Sequence, residues 1–89
     1  MTVSREVLIS NRRGLHARAS AKFVTLATQQ PIAVQVAKGS ATVTGTSIMG
    51  LMMLGAAKGD TITISAQGDN AAQVVDTMCA LVEEKFGED

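Results

Sequence analysis

Apolar and polar residues alternate along four short segments of this 89-residue chain. Strict alternation predicts β-strands with one covered face, because successive side chains of a strand point to opposite sides of the sheet. The flexible pair Lys38-Gly39 separates the second segment from the third and predicts a β-hairpin. The four predicted strands lie within residues 3–10, 32–36, 41–43 and 60–66, with Val7, Ile9, Ile62 and Ile64 inward.

Three other segments carry apolar residues at helical spacing. The first runs from His16 to about Thr28, and its predicted inward face holds Ser20, Phe23, Val24 and Ala27. A short helix is predicted from Ser47 to Gly55. The last helix follows a turn and cap at 68–70, and its stripe is Ala71, Val74, Val75, Met78, Leu81 and Val82.

The predicted element order is therefore βαββαβα, without an internal repeat, a low-complexity tract or a linker. A length of 89 residues suits one domain, spanning 1–89, that buries a modest core. The simplest packing that covers every apolar stripe is one four-stranded antiparallel sheet with three helices on one face. We predict an α+β protein, an open-faced β-sandwich.

Composition excludes several classes of function. Eight basic residues balance eight acidic ones, and the chain lacks Tyr and Trp, so nucleic-acid binding is not expected. No apolar run has the length of a signal peptide or a membrane span, which predicts a cytoplasmic protein without membrane insertion. One histidine and one cysteine make no zinc or iron site, and we expect no cofactor. Cys79 is predicted to be a small packing residue.

The strongest candidate for chemistry is His16, which follows the turn residue Gly14 and begins the first predicted helix. The first N–H groups of a helix are unpaired and carry a partial positive charge, to which Arg18 adds a guanidinium. This field favours a neutral imidazole whose lone pair can attack phosphorus. His16 is therefore predicted to carry a phosphoryl group, the alternative being a helix cap or an ordinary surface histidine.

Charge is unevenly distributed along the chain. Four basic residues are expected around His16, and four acidic residues lie at the other end of the sequence. A basic surface at a phosphate site suits acidic partners. The basic residues are Arg12, Arg13, Arg18 and Lys22, and the acidic ones are Glu83, Glu84, Glu88 and Asp89.

The short helix after Ser47 carries more apolar side chains than it can bury against a sheet. Part of that surface is predicted to be exposed, although a helix buried on several sides is the alternative, because Met fills gaps in cores readily. Exposed Met suits binding to several differently shaped partners. Ser47 itself has two interpretations: an N-cap that contributes about 1 kcal/mol, and a phosphorylation site at a helix start.

Two motifs resemble the histidine-containing phosphocarrier family HPr of bacterial phosphotransferase systems. The first is the active-site segment Gly14-Leu15-His16-Ala17-Arg18-Ala19, and the second is GTSIMGLMMLGA at 45–56, which is similar to the helix of the regulatory serine. The resemblance extends from about residue 3 to residue 86. One departure is Ala19, where many HPr sequences have proline; alanine keeps the helix and adds one N–H donor.

The resemblance implies an HPr-like fold and a relay function. His16 would accept phosphate, through Nδ1, from a phosphoenolpyruvate-dependent Enzyme I-type donor and pass it to an EIIA-type acceptor. Ser47 would be a regulatory phosphosite for an HPr kinase/phosphorylase. The partner-binding surface would be Ile48, Met49, Met52 and Met53, and the protein would be a monomeric carrier rather than an enzyme.

Two other functions compete with this one. The first is a regulatory binding module that acts through Ser47 phosphorylation in a nitrogen-related phosphorelay rather than in sugar transport. The pair His16 and Arg18 disfavours a module without transfer chemistry, whereas Ala19 and the Met-rich helix favour a regulatory relay. The second is a stand-alone hydrolase or transferase, which is disfavoured because the chain has neither a Walker-type loop nor a Ser/His/Asp set.

Overall fold

The computed structural model describes residues 1–88 and confirms the predicted element order. A single 3₁₀ turn, Lys85–Gly87, follows the last helix and was not predicted; we call it the C-terminal turn. Asp89, one of the acidic residues noted in the sequence, lies outside the described residues. The elements are β1 Thr2–Leu8, α1 Ala17–Thr28, β2 Val34–Lys38, β3 Ala41–Thr44, α2 Ile48–Met53, β4 Thr61–Gln67 and α3 Ala71–Glu83.

The four strands form one antiparallel sheet in the order β1-β4-β2-β3. Its register places apolar residues side by side on one face: Ile64 lies opposite Val36, and Ile62 lies opposite Val7. These four side chains are all buried. The alternation read from the sequence is therefore the alternation between the covered and the open face of the sheet.

Helix α3 packs on β1 and β4, and α1 packs beside α2 and α3, so that the helices and the sheet enclose an almost wholly aliphatic core. Its two aromatic members, Phe23 and Phe86, are fully buried. The predicted stripes are confirmed with small differences: Val24 and Leu81 are half-buried at the margin, and Cys79 is buried inside the stripe of α3. The open-faced β-sandwich predicted from the sequence is the observed fold.

The N-cap positions of α2 and α3 are those that the sequence predicted. Ser47 is the N-cap of α2, and its Oγ accepts a hydrogen bond from the Gly50 N–H at 2.9 Å. Asn70 occupies the N-cap position of α3, and its side chain makes no capping hydrogen bond. No helix within residues 1–88 is long and apolar enough to cross a bilayer.

The C-terminal turn has left-handed backbone at three consecutive residues: Lys85, Phe86 and Gly87 have φ values of 59°, 56° and 72°. Non-glycine residues adopt this conformation at a cost of about 1–2 kcal/mol each. Two contacts offset that cost. The Phe86 ring is buried in the core, and its carbonyl accepts a hydrogen bond from Lys22 Nζ at 2.8 Å. The turn redirects the chain after α3 and brings Glu88 to the start of α1.

Candidate functional site

His16 is the N-cap residue of α1, at the boundary that the sequence predicted. Its backbone is extended, and its carbonyl accepts the first intrahelical hydrogen bond, from the Ser20 N–H at 2.9 Å. The side chain makes no capping bond and is 14% exposed. The ring is thus held at the positive end of the helix while part of it stays open to a partner.

A buried hydrogen-bonded turn holds the loop before His16. Asn11 is fully buried, and its Nδ2 donates to the Gly14 carbonyl at 2.9 Å. At the other side of the loop, Ser20 Oγ donates to the Leu15 carbonyl at 3.1 Å. From the sequence alone, residues 11–14 are only a polar and flexible segment that ends the first predicted strand. A buried polar residue next to the candidate nucleophile is a positioning group that spacing alone does not reveal.

Gly14 is required by both its conformation and its surroundings. Its φ is +64°, and a Cβ added there would lie 2.4 Å from the carbonyl oxygen of Ala56. That same carbonyl accepts a hydrogen bond from the Leu15 N–H at 2.9 Å. The close approach therefore attaches the loop of residues 9–16, which we call the His16 loop, to the segment that follows α2.

Two further backbone hydrogen bonds join Ile9, directly after β1, to the segment before β4. The Ile9 N–H donates to the Asp60 carbonyl and the Ile9 carbonyl accepts from the Gly59 N–H, each at 2.8 Å. Residues 56–60 thus hold the His16 loop through three backbone hydrogen bonds, so the position of the histidine depends on a part of the chain forty or more residues away.

Both ring nitrogens of His16 face oxygen atoms. Nδ1 lies 3.1 Å from the Gly14 carbonyl, and Nε2 lies 3.3 Å from Glu88 Oε2, without hydrogen-bond geometry at the second contact. A carbonyl and a carboxylate only accept, so each ring nitrogen can bond its neighbouring oxygen only while it carries a hydrogen. A neutral ring carries one such hydrogen and can therefore bond one of these two oxygens at a time. The contact between His16 and Glu88 was not predicted from the sequence.

Three arginines share a cleft of about 170 Å³ with Glu88: Arg12, Arg13 and Arg18. The basic surface predicted around His16 is thus confirmed for the arginines. Arg18 is 68% exposed, and its nearest guanidinium nitrogen lies 3.8 Å from Glu88 Oε2. Lys22 was expected in this surface, but its ammonium is tied to the Phe86 carbonyl instead.

The acidic residues at the end of the sequence do not stay together. Glu88 enters the basic cleft, whereas Glu83 pairs with Arg5 at 3.0 Å, an arginine that also contacts Asp76 at 3.3 Å. The chain folds back at the C-terminal turn, so distance along the sequence does not keep the acidic Glu88 away from the arginines in space. The site is consequently a mixed one, with a carboxylate among cations.

Helix α2 packs against α1 and exposes most of its apolar side chains. Leu51 is fully buried and Leu54 nearly so, and they attach the helix to the core. The exposed fraction reaches 69% at Met49 and 79% at Met53. The predicted excess of apolar surface is confirmed. We call it the methionine surface, which consists of Ile48, Met49, Met52 and Met53.

Cys79 plays no part in this site. It is fully buried in α3, and burial, the largest influence, raises the pKa of its thiol above the ordinary value, with carboxylates of Glu83 and Asp76 adding to the rise and Arg5 opposing it. A buried neutral thiol is a poor nucleophile. Within residues 1–88, no group of three or more His, Cys, Asp or Glu side chains could hold a metal ion.

The family model described as "PTS HPr component phosphorylation site" matches residues 3–84. The chain belongs to the HPr family of phosphocarriers of the phosphotransferase system.

Individual relatives agree with this assignment. Phosphocarrier protein NPr of Shewanella violacea is 38% identical over 86 residues, which cover 97% of this chain and 94% of the relative. Phosphocarrier protein HPr of Neisseria meningitidis is 43% identical over 86 residues, with 97% of each chain covered. Members named NPr and members named HPr are thus both similar to this chain.

Solved structures confirm the fold. The crystal structure of HPr-C-His from Thermoanaerobacter tengcongensis has a TM-score of 0.90 and 37% identity, and 98% of each chain is covered. A structure described as an HPr dimer from the same organism has a TM-score of 0.75 and 39% identity, with coverage of 92% of this chain and 94% of that one.

Proposed function

We propose that His16 accepts a phosphoryl group from a phosphoenolpyruvate-dependent Enzyme I-type donor and passes it to an EIIA-type acceptor. The observation that carries this proposal is the position of the ring at the N-cap of α1, with Arg18 in the first turn of that helix. Helix N–H groups and a guanidinium are the donors that a phosphoryl group prefers in proteins. The family assignment supplies the class of partners.

In the transfer step, a lone pair on a ring nitrogen of His16 attacks phosphorus and forms an N–P bond. The bond between phosphorus and the donor breaks, and its electron pair leaves with the donor. The attacking nitrogen must carry no proton. For Nδ1, the nitrogen that the family resemblance indicates, the hydrogen must first pass to water, the contact with the Gly14 carbonyl is lost, and the attacking ring is the neutral tautomer with its hydrogen on Nε2. Arg18 then stabilises the new negative charge.

The methionine surface is the proposed docking site for both donor and acceptor. It adjoins the His16 loop because the segment after α2 is bonded to Leu15. Met side chains are flexible and polarizable, so one surface can fit two partners of different shape. The arginines of the neighbouring cleft favour partners whose facing surface is acidic.

Ser47 is the proposed regulatory phosphosite, for an HPr kinase/phosphorylase. Its hydroxyl caps α2 beside the methionine surface, so a phosphate there would change the charge of the docking site. The same position supports the second candidate function, a regulatory module in a nitrogen-related phosphorelay. In that function the phosphorylated surface would select the partner, and transfer at His16 would be secondary.

We further propose that residues 1–89 form one domain that works as a monomer in the cytoplasm. A monomer leaves both the His16 ring and the methionine surface accessible to partners. Light scattering should give the mass of one chain at all concentrations, and thermal unfolding should show a single transition. A dimer at micromolar concentration would contradict the monomer proposal.

The transfer function is tested by mixing the protein with phosphoenolpyruvate and an Enzyme I-type donor. The expected product is an acid-labile, base-stable phosphate on the protein, absent from His16→Ala. Addition of an EIIA-type acceptor should remove it. Label that persists in His16→Ala would overturn the assignment, because His16 is the single histidine of the chain.

A further inference from the structure

The carboxylate of Glu88 occupies an unusual position for a residue that follows the last helix. Its side chain is 12% exposed, and Oε2 lies 3.3 Å from His16 Nε2 and 3.8 Å from an Arg18 guanidinium nitrogen. Nε2 and Oε2 are both buried, and neither has a partner in hydrogen-bond geometry. Because neither buried atom gains a well-formed hydrogen bond from this contact, little energy is needed to separate the two side chains.

The backbone shows that this position is built by the fold. The left-handed residues of the C-terminal turn point the chain at the start of α1, and the Glu88 N–H donates to the Lys85 carbonyl at 2.9 Å. Phe86 anchors the turn from within the core, and Lys22 holds its carbonyl. A strained backbone persists where the surroundings determine it, and such strain is concentrated at functional sites.

We propose that Glu88 is an internal occupant of the phosphoryl site. Its carboxylate takes the place of an anion beside His16 and Arg18 in the unmodified protein, and it leaves when His16 receives the phosphoryl group. The proposal rests on His16 being the phosphorylated residue. Lys85 and Phe86 stay in place while the side chain of Glu88 and the backbone after Phe86 move away.

Electrostatic repulsion between the phosphoryl group and the Glu88 carboxylate favours the departure of Glu88. A phosphoryl group brings nearly two negative charges to a place where a carboxylate already lies within a few ångströms of the ring. Like charges at this separation in a partly buried site repel strongly, and only one of them can use Arg18 fully. Glu88 therefore destabilises the phosphorylated form relative to the unmodified form. It raises the tendency of the protein to hand its phosphoryl group on to an acceptor.

The first experiment compares Glu88→Gln with Glu84→Gln. Glu84 is exposed at the end of α3, so its variant makes the same change in net charge without touching His16. Each protein is equilibrated with limiting phosphorylated donor, and the phosphorylated fraction is measured. Glu88→Gln should shift the equilibrium constant toward the phosphorylated protein by about tenfold, and Glu84→Gln should match the wild type.

The second experiment follows the turn itself by NMR. Phosphorylation of the wild type should move the amide signals of Gly87 and Glu88 and increase their mobility, while that of Phe86 stays nearly fixed. The Glu88→Gln variant should show a smaller change on phosphorylation, because its side chain is not repelled. Unmoved Gly87 and Glu88 signals in the wild type would overturn the proposal.

A third measurement needs no donor and separates this proposal from the transfer function. Inorganic phosphate is titrated into the unmodified proteins, and binding is read from the ring signals of His16. Glu88→Gln should bind phosphate about tenfold more tightly than the wild type, and Glu88→Ala should behave likewise.

Equal affinities, or an equal rise in Glu84→Gln, would overturn the role of Glu88. Failure of the donor to label His16 in any variant would instead overturn the transfer function, while the phosphate titration would still decide the role of Glu88.

Discussion

The His16 loop and the methionine surface are neighbours, yet they are built in opposite ways. The loop is held by buried hydrogen bonds from Asn11 and Ser20 and by a glycine pressed against the Ala56 carbonyl. The methionine surface lies on a six-residue helix attached mainly by Leu51 and Leu54, with long unbranched side chains in solvent. The loop holds the His16 ring in one position, whereas the methionine surface can change its side-chain conformations.

The difference follows from the two tasks proposed for them. Phosphoryl transfer needs the attacking nitrogen in line with phosphorus, and a displacement of about 1 Å can cost 10²-fold in rate. Docking on two partners needs a surface that repacks, which flexible Met side chains provide at small cost. Substitutions in the loop should therefore change stability and rate, whereas substitutions in the methionine surface should change affinity alone.

The largest effect is expected for Gly14→Ala. The new Cβ would meet the Ala56 carbonyl at φ +64°, so the free energy of unfolding should fall by about 3 kcal/mol or more, and transfer should fail with it. Urea denaturation measures the loss. Gly39→Ala is the matched control: its φ is +60° with open space around it, so it should lose about 1 kcal/mol. Equal losses would show that the close approach to Ala56 is unimportant.

Arg18→Ala should slow phosphoryl transfer by about 10²-fold with little change in melting temperature, because the side chain is 68% exposed. A quenched-flow assay with the phosphorylated donor measures the rate. Arg5→Ala is a suitable control, since Arg5 pairs with Asp76 and Glu83 away from the cleft. Transfer at the wild-type rate in Arg18→Ala would remove this arginine from the site.

Met49→Glu and Met53→Glu should weaken docking to donor and acceptor by about tenfold each, the equivalent of about 1.4 kcal/mol. Their stability should stay within about 0.5 kcal/mol of the wild type, because both side chains are largely exposed. Leu51→Ala is the contrasting variant: a buried Leu should cost about 2–5 kcal/mol. Unfolding of either glutamate variant would place that methionine in the core.

Phosphorylation of Ser47 should have the smallest effect, a severalfold slower acceptance of phosphate at His16. The added charge lies beside the surface that an acidic donor approaches, so it should weaken binding of the donor. This effect should become smaller at high salt concentration, which screens the charges. Enzymatically phosphorylated protein is the sample to measure. Ser47→Ala, which removes the cap and should cost about 1 kcal/mol of stability, serves as the uncharged comparison. Equal rates in phosphorylated and unmodified protein would leave Ser47 as a cap only.

The parts of the molecule that the sequence predicts well depend on neighbouring residues. The alternation around Ile62 and Ile64, the stripe of α3 and the capping serine of α2 are all readable within a few positions. The position of His16 at the start of α1 has the same local origin.

The parts that escaped prediction depend on distant residues. Lys85 and Phe86 carry no local signal for left-handed backbone, since only the burial of the Phe86 ring and the bond from Lys22 hold them there. The entry of Glu88 into the arginine cleft follows from that turn. The burial of Asn11 depends likewise on tertiary packing, and nothing in its sequence neighbourhood distinguishes it from a solvated turn residue.

The backbone hydrogen bonds between the His16 loop and residues 56–60 also have a consequence for synthesis on the ribosome. Helix α1 emerges early, but the loop in front of it lacks these bonding partners until the chain beyond α2 has emerged and β4 can pair with β1. We therefore expect the proposed phosphoryl transfer at His16 to begin only after the domain has closed, and nascent chains that stop before residue 60 to accept no phosphate.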